Sequence, residues 1–507
     1  MVLTRHVLYT AATLLAGSQF AQAANPAPVT ARFATFNASL NRFGSGDLLG
    51  DLAAPGSVAF DVAYPDSASI TALSTAQKRV LQAHYVAEVL QRIDADVVLV
   101  NEFDYDFDGT PGTGSTPSPF GYQSFAARRF NDNFLGVAHG GGTTGRTATG
   151  VLDYTHGYTP TTNTGLHSGF DLDNNGAIDA TPGDGSYGND AFGFGEFAGK
   201  FGFTLYSRYA IKSVRTFQNF LWKDMPGNLL TNDPSGALGS FYAADEIAAL
   251  RLSSKNHVDV TVEINGQEVH FLAAHPTPPV FDGAEDRNGK RNFDEIRFWK
   301  EYINGAEWVY DDQGGTGGLP AGAKFVIAGD YNADPCDGDS LKDACGSLAS
   351  PDLSPNAIMQ LLGDALVNQV SNPFAAGSLV PASAGGTAAA TDPSNNGPAN
   401  DTHLMDPAQD TADFNDAAPG NLRVDYVLPS ANLDVLGGGV FWPERSDPDF
   451  VLVGTFNNLN LFSNFPTSDH KAVFVDVQVA PVPVPAALPL FGSALLTGIA
   501  ARRRRRV

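Results

Sequence analysis

Short apolar runs alternate with long polar tracts along this chain, and their lengths predict strands interrupted by a few helices. Eight runs rich in Val, Ile or Phe have the length of a strand, and the Asn265-Gly266 pair between two of them is a hairpin signal. The predicted strands are Arg32 to Asn37, Val97 to Asn101, Phe201 to Ser207, Val258 to Ile264, Val269 to Ala274, Lys324 to Ala328, Val424 to Pro429 and Lys471 to Val479.

Helical periodicity is clearest from Thr75 to Ile93, where apolar residues such as Val86 and Leu90 recur on one face. A second helix is predicted from Asn292 to Ile303. Because strands and helices are interspersed, the pattern indicates an α/β protein.

Three Gly-, Thr- and Asn-rich tracts separate the predicted elements, at Gly109 to Ser118, Gly140 to Gly165 and Gly377 to Asn400. Loops of this length are uncommon inside compact domains unless they are functional or mobile. We interpret them as insertions into one domain spanning residues 30–480, not as domain boundaries.

Polar residues suited to metal binding or proton transfer follow several predicted strands. Amide and carboxylate oxygens suit Mg²⁺, Mn²⁺ or Ca²⁺ better than zinc, and an imidazole beside a carboxylate suits proton transfer. The motifs are Thr35-Phe36-Asn37, Asn101-Glu102, His275-Pro276, Gly329-Asp330-Tyr331-Asn332, Arg423-Val424-Asp425-Tyr426 and Ser468-Asp469-His470.

Taken in order, these motifs resemble the endonuclease/exonuclease/phosphatase superfamily, which includes deoxyribonuclease I, inositol phosphatases and bacterial sphingomyelinases. The resemblance implies a deoxyribonuclease I-like fold, a four-layer α/β/β/α sandwich of two mixed sheets. It also implies a metal-dependent phosphoric ester hydrolase, with Mg²⁺ as the expected cofactor and Mn²⁺ or Ca²⁺ as alternatives.

The resemblance also implies residue roles. Asn37, Glu102 and Asp469 would hold the metal ion. Asp330 would act on the attacking water, and Asn332 would orient it or contact the phosphoryl oxygens. The remaining catalytic residues would be His470, oriented by Asp425, and His275, which would contribute a second imidazole.

The loop after His275 concentrates the cations Arg287, Lys290 and Arg291 in an otherwise acidic protein. Guanidinium and ammonium groups suit phosphate capture. The alternative is an ordinary helix-entry loop, in which these cations pair with acids of the same loop.

Two aspartate-rich loops begin like calcium-binding loops, with oxygen ligands at alternate positions. They start at Asp104 and at Asp171. The second has Pro182 where an EF-hand has its twelfth-position acid, so an ordinary EF-hand is not expected. A structural Ca²⁺ site stays open.

Both ends of the chain resemble targeting segments. Residues 1–23 have the charged, apolar and small-residue order of a secretory signal peptide. Residues 481–507 place Val-Pro-Val-Pro-Ala before a short apolar stretch and five arginines. This order resembles the PEP-CTERM sorting tail in its VPxPA variant, which implies a transient membrane tether and an exosortase-type processing enzyme. The alternative is a permanent membrane anchor.

From these two end segments we expect the protein in the periplasm, at the cell surface or outside the cell. In such an oxidising compartment, the two cysteines Cys336 and Cys345 favour a short disulfide over a zinc site. No motif points to a protein partner.

Composition bears mainly on the substrate. The chain has 55 acidic against 31 basic residues, a formal net charge of −24, and such a field repels polyanions unless cations intervene. The sequence therefore favours a phosphodiesterase or phosphatase acting on small phosphate esters. The alternatives are a secreted endonuclease acting on extracellular DNA, a lipid phosphodiesterase, and a non-catalytic surface or matrix protein that retains the fold.

Overall fold

The computed structural model describes residues 27–64, 67–106, 117–118, 121–122, 124–341, 356–391, 399–455 and 466–482. The predicted signal peptide and nearly all of the predicted sorting tail lie outside these ranges. Across the ranges that are described, no helix is both long and apolar enough to cross a membrane.

Eleven strands form two large mixed sheets. In chain order they are β1 (Val29–Leu40), β2 (Val97–Phe103), β3 (His156–Tyr158), β4 (Phe203–Ser207), β5 (Ile211–Thr216), β6 (His257–Ile264), β7 (Gln267–Ala274), β8 (Lys324–Asp330), β9 (Asp425–Pro429), β10 (Asp434–Val440) and β11 (Val473–Val479). The first sheet has the order β10-β11-β1-β2-β4-β3, and the second has the order β9-β8-β7-β6-β5.

Each sheet contains one parallel pair, β1 with β2 in the first sheet and β7 with β8 in the second. The other neighbouring strands are antiparallel. Two short ribbons stand apart from the sheets and join Pro117–Ser118 to Gly121–Tyr122 and Ala412–Asp413 to Asn421–Leu422.

Two long helices are α1 (Thr75–Ile93) and α2 (Arg287–Ile303). A capping box between Ser74 and Gln77 starts α1, and Asp94 ends it in the left-handed conformation. The shorter helices are Asp47–Leu52, Ser67–Thr71, Phe125–Phe130, Gly185–Asn189, Leu229–Asn232, Ala237–Phe241, Ala244–Ala249, Met359–Leu362, Ala384–Thr391 and Phe450–Val453, with a π-helix at Asn131–Leu135. Short 3₁₀ turns lie at Pro55–Ser57, Trp222–Asp224, Gln369–Ser371, Asn400–Thr402 and Pro407–Gln409.

The inner faces of the two sheets pack against each other. Phe33 of β1 stacks on Phe271 of β7, with ring centroids 6.1 Å apart. Alternate residues of a strand point to opposite faces, so Phe271 joins this central core while Leu272 joins a second core under α2.

The outer layers are the two long helices. Val86 and Leu90 of α1 are buried in the central core, and Trp299 and Tyr302 of α2 are buried in the second core. The predicted four-layer α/β/β/α sandwich of two mixed sheets is confirmed.

The structure adds strands that the apolar runs did not reveal. β5 has an exposed polar face, β10 is glycine-rich, and β3 lies inside the tract predicted to be an insertion loop. The predicted start of the second helix at Asn292 was wrong, because α2 begins more than a turn earlier at Arg287. The polar first turn carries no apolar signal.

Removing the aromatic ring at position 271 tests how far the sandwich depends on inter-sheet packing. We expect Phe271→Ala to lower the free energy of unfolding by about 3–5 kcal/mol, because the cavity opens between two sheets that cannot collapse independently. Urea unfolding measures this change. The control Leu436→Ala removes an exposed side chain, so we expect it to change stability by less than about 0.5 kcal/mol. Equal effects of the two substitutions would contradict this packing account.

Candidate active site

The parallel pair of the first sheet brings two predicted metal-site residues to one edge. Asn37 lies opposite Asn101 in the register of β1 and β2, so Asn37 and Glu102 both lie near the carboxyl ends of their strands. The backbone at Glu102 has a positive φ of 53°, which is unusual for a non-glycine residue. Such a conformation is held by its surroundings and is frequent at functional sites.

The parallel pair of the second sheet brings the other half of the site to the same place. His275 directly follows β7, and Asp330 ends β8 beside it. Asp425 lies directly across from Asp330 in the antiparallel register of β9. One amide joins the two halves, because Asn37 donates from Nδ2 to Asp330 Oδ2 over 3.0 Å.

His470 is held by a buried carboxylate. Its Nδ1 lies 2.8 Å from Asp425 Oδ2, and the same oxygen accepts a hydrogen bond from Thr411 Oγ1 at 2.9 Å. The other ring nitrogen, Nε2, lies 3.6 Å from Asp330 Oδ2. The imidazole therefore connects two carboxylates and has a fixed orientation.

His275 and Asn332 complete the set around Asp330. His275 Nε2 lies 3.4 Å from Asp330 Oδ2, and its buried Nδ1 has no hydrogen-bond partner among the described residues. Asn332, at a φ of 51°, donates its backbone N–H to Asp330 Oδ1 and its side-chain amide to the Pro276 carbonyl. The Asp330 carboxylate is thus oriented from both sides.

Burial and neighbouring charges shift the protonation of these groups in different directions. Burial raises the pKa of Asp330 to about 6, against the opposing effect of His470. Burial alone would lower the pKa of His470, but the charges of Asp425 and Asp330 outweigh it and raise that pKa well above its usual value. For His275, burial and then the Lys255 charge lower the pKa well below its usual value. The two imidazoles therefore differ in how strongly their surroundings favour the protonated form: His470 is favoured and His275 is disfavoured.

A cavity of about 820 Å³ opens onto this centre. Its lining includes the predicted catalytic residues His275, Asp330, Asn332 and His470 and the predicted metal residues Glu102 and Asp469. Asn37 and Asp425 are buried behind it. The structure therefore brings together all eight residues predicted for catalysis and metal binding.

The donor set fits a hard divalent cation. Burial raises the pKa of Glu102, and the nearby charges of Asp469 and Asp330 raise it further. A divalent cation would relieve this like-charge repulsion, and oxygen donors from Asn, Glu and Asp suit Mg²⁺ or Mn²⁺.

Two sets of side chains compete for the metal assignment. Asp330, Asp425 and His470 have ligand atoms within 4.8 Å of one another. However, both ring nitrogens of His470 already face carboxylates, which is the geometry of a proton relay. That leaves the all-oxygen set of Asn37, Glu102 and Asp469 as the candidate metal site.

The structure does not bring Arg287, Lys290 and Arg291 to the cavity. Arg287 pairs with Glu285, and Lys290 lies 3.0 Å from Asp233. Arg291 donates to the backbone carbonyls of Leu252, Phe192 and Arg251. Phosphate capture is therefore not assigned to these cations, and their contacts support the structural alternative.

Sequence reasoning missed three residues that support the site. Asn41 donates to Glu102 Oε2 at 2.8 Å, and Thr411 holds Asp425. Lys255 is a buried lysine whose charge acts on His275, Glu102 and Asp330. Asn41 lies four residues after Asn37, so its position next to a predicted metal residue could have indicated a role in the site. Thr411 and Lys255 lie in segments without a motif.

The second calcium-like loop lies next to an acidic residue that the sequence pattern did not include. Asp171 and Asp173 have carboxylate oxygens within 4.8 Å of Asp190. These carboxylates accept backbone N–H groups of their own loop, such as those of Gly176 and Leu172. In the first calcium-like loop, buried Asp104 accepts hydrogen bonds from the backbone N–H groups of Arg42 and Phe201. Asp108 of the same loop lies outside the described residues.

Cys336 is buried and disulfide-bonded. Cys345, the other cysteine of the sequence, lies outside the described residues.

Fold and site together define a two-sheet α/β protein with an acid-rich, imidazole-containing centre at the edge where the sheets meet. The chain belongs to the Endonuclease/Exonuclease/phosphatase family, whose model matches residues 34–470. No curated protein matches this chain.

Solved structures that match this chain have low sequence identity to it. An endonuclease/exonuclease/phosphatase from Beutenbergia cavernae is 17% identical, with 90% of this chain and 73% of that chain covered and a TM-score of 0.39. A family protein from Leptotrichia buccalis is 13% identical, with 89% and 100% covered and a TM-score of 0.37. Beta toxin from Staphylococcus aureus is 12% identical, with 88% and 99% covered and a TM-score of 0.36.

Replacing the Glu102 carboxylate tests the metal assignment. We expect Glu102→Gln to weaken Mn²⁺ binding at least about 10-fold, because an anionic oxygen ligand is lost. Isothermal titration calorimetry on the full chain measures this affinity. The metal-free variant should also melt no lower than the metal-free parent, since the substitution relieves repulsion from Asp469.

The matched control is Glu263→Gln, which removes an exposed carboxylate paired with Lys212 on the sheet surface. We expect it to leave Mn²⁺ affinity unchanged. Unaltered affinity in Glu102→Gln would exclude Glu102 as a ligand.

Proposed function

We propose that this protein is a metal-dependent phosphoesterase that hydrolyses a phosphate ester by attack of water on phosphorus. The observation that carries the proposal is the continuous row of Asp425, His470, Asp330 and His275, of which the last three line the cavity. Successive members of the row are separated by 2.8 Å, 3.6 Å and 3.4 Å. This row lies beside the oxygen-donor set assigned to the metal.

Asn37, Glu102 and Asp469 would hold a divalent cation, most simply Mg²⁺, with Mn²⁺ and Ca²⁺ as alternatives. The cation supplies neutralisation of phosphoryl charge and makes bound water more acidic. All three residues belong to the first sheet or to the segment preceding its strand β11, so they form one side of the site.

The proton-transfer groups come from the second sheet and from the segment before β11. Asp330 accepts the proton of the attacking water, because its carboxylate is oriented by the Asn37 amide and the Asn332 N–H. Asn332 orients the water or contacts a phosphoryl oxygen. The O–P bond to water forms as the P–O bond to the alcohol breaks.

His470 donates its proton to the departing alcohol oxygen, or donates a hydrogen bond to the phosphoryl oxygens. Asp425 stabilises its protonated form and fixes which nitrogen faces Asp330. His275 is a neutral imidazole on the other side of Asp330, suited to hydrogen bonding with the developing negative charge. The two histidines therefore have different tasks although both contact the same carboxylate.

The non-catalytic alternative fits this geometry less well. A surface or matrix protein that only retained the fold would have no reason to keep Asp425 oriented by Thr411, or a buried acid–imidazole row with unsatisfied polar atoms. Buried polar atoms without partners cost free energy, so their retention supports a site that binds a ligand.

Export belongs to the same proposal and rests on the sequence of the two ends. Residues 1–23 would direct secretion, and residues 481–507 would act as a transient membrane tether removed by an exosortase-type enzyme. The protein would then act in the periplasm, at the cell surface or outside the cell.

Loss of one imidazole tests the proposed chemistry. We expect His470→Ala to lower kcat for bis-p-nitrophenyl phosphate by about 10²–10⁴-fold in Mg²⁺ or Mn²⁺, because the proton-transfer group facing phosphorus is removed. Release of p-nitrophenol measures turnover, and a chelator should abolish it in the parent protein.

The matched control is His270→Ala. His270 lies on β7, contacts Asp259 of β6 and does not line the cavity. We expect it to keep near-parental turnover. Full activity in His470→Ala, or turnover that persists in chelator, would refute the proposed mechanism.

A further inference from the structure

The cavity is lined by two chemically distinct sets of side chains. We call the acidic and imidazole groups of the site its floor. We call the apolar residues its walls, which include Phe43, Pro278, Pro279, Phe281, Phe414 and Leu422. A substrate that fills the cavity must therefore present a phosphate to the floor and carbon-rich groups to the walls.

Two wall residues are the most exposed large apolar side chains of the described residues. Phe281 is 88% exposed and Phe43 is 75% exposed, and both border this cavity. Exposed aromatic rings at the mouth of a catalytic cavity cost solvation free energy that ligand contact would recover.

The backbone holds Phe281 in this exposed position. Its φ of 66° lies in the left-handed region that a bulky L-residue rarely adopts. Asn288 of α2 fixes the flanking residues, because its side chain donates to the Val280 carbonyl at 2.6 Å and its N–H donates to Asp282 at 2.7 Å. The ring is thus presented to solvent by an anchored turn.

Another residue of the apolar walls contacts the catalytic imidazole directly. Phe414 meets His470 edge to face, with ring centroids 5.4 Å apart. Phe414 follows the strand Ala412–Asp413, and Leu422 lies in the partner strand of the same ribbon. An apolar group seated on these residues would lie next to the reacting phosphate.

Charge in the cavity disfavours a polyanion. Among the described residues, the lining includes no lysine or arginine. It includes six acids, Glu102, Asp330, Asp334, Asp337, Asp339 and Asp469. Lys200, near Phe43, is buried and donates to the Arg42 carbonyl. The net charge of the lining would stay negative after one divalent cation binds. The described lining residues therefore offer no cation to neutralise the flanking phosphates of a nucleic acid.

We propose that the substrate is a phosphodiester with a single phosphate and an apolar ester group that packs between Phe43, Phe281 and Phe414. The proposal rests on the phosphoesterase function proposed above and adds the substrate class. The acidic floor with its metal takes the phosphate, and the apolar walls recognise the alcohol that stays attached to phosphorus.

The test compares two esters that differ only in this alcohol. Methyl p-nitrophenyl phosphate and hexyl p-nitrophenyl phosphate release the same leaving group, so their kcat/KM ratio reports on binding of the alkyl chain. We expect the full chain with Mn²⁺ to prefer the hexyl ester by about 10-fold or more. The double substitution F43A/F281A should lower this preference to about 2-fold, and thermal unfolding shows whether the double variant stays folded.

The matched control is Phe194→Ala, which removes another exposed phenylalanine that does not line the cavity. It should keep the parental preference for the hexyl ester. Nicking of plasmid DNA is measured beside both esters, and per phosphodiester it should be slower than hexyl ester hydrolysis.

The outcomes separate the two proposals. Equal kcat/KM for the two esters or faster cleavage of plasmid DNA would overturn the apolar substrate while the phosphoesterase function stands. A hexyl preference that survives F43A/F281A would overturn its recognition by Phe43 and Phe281. No metal-dependent cleavage of either ester or of DNA would overturn the phosphoesterase function itself.

Discussion

The site depends on one constraint, the packing of two sheets so that the carboxyl ends of their parallel strand pairs meet at one edge. The hydrogen bond from Asn37 to Asp330 marks this meeting point, since β1 and β8 belong to different sheets. If the sheets were rotated or slid by one residue, the metal residues and the proton-transfer residues would no longer face each other. The inter-sheet stack of Phe33 on Phe271 is therefore as relevant to chemistry as to stability.

Repulsion between buried acids follows from that packing. Burial and the nearby charges of Asp469 and Asp330 raise the pKa of Glu102, and burial raises that of Asp330 to about 6. Clustering buried carboxylates costs folding free energy unless a cation or a protonated imidazole compensates their charge. Here the His470 imidazole lies between Asp425 and Asp330 and compensates their charge. The remaining oxygen donors, from Asn37, Glu102 and Asp469, would bind a metal ion.

Much of the fold and site could be predicted because each catalytic motif directly follows or precedes an apolar strand. The run ending at Asn37 and the run ending at Asp330 have a strand signal and a chemical signal side by side. The strands β5 and β10 could not be predicted in this way, because one has an exposed polar face and the other is glycine-rich.

The roles of the cations could not be predicted for a different reason. Arg287, Lys290 and Arg291 lie close in sequence to His275, but helix α2 begins at Arg287 and turns them toward Glu285, Asp233 and backbone carbonyls. Exposure of Phe43 and Phe281 likewise depends on local backbone geometry, which composition does not reveal. Asp190 joins Asp171 and Asp173 only through tertiary structure.

The most direct measurement is a crystal structure with Mn²⁺ and inorganic phosphate, analysed by anomalous diffraction at the manganese edge. Our account predicts a manganese peak among Asn37, Glu102 and Asp469, with phosphate between that peak and the row formed by Asp330, His275 and His470. A peak only at Asp171, Asp173 and Asp190, with none between the two sheets, would contradict it.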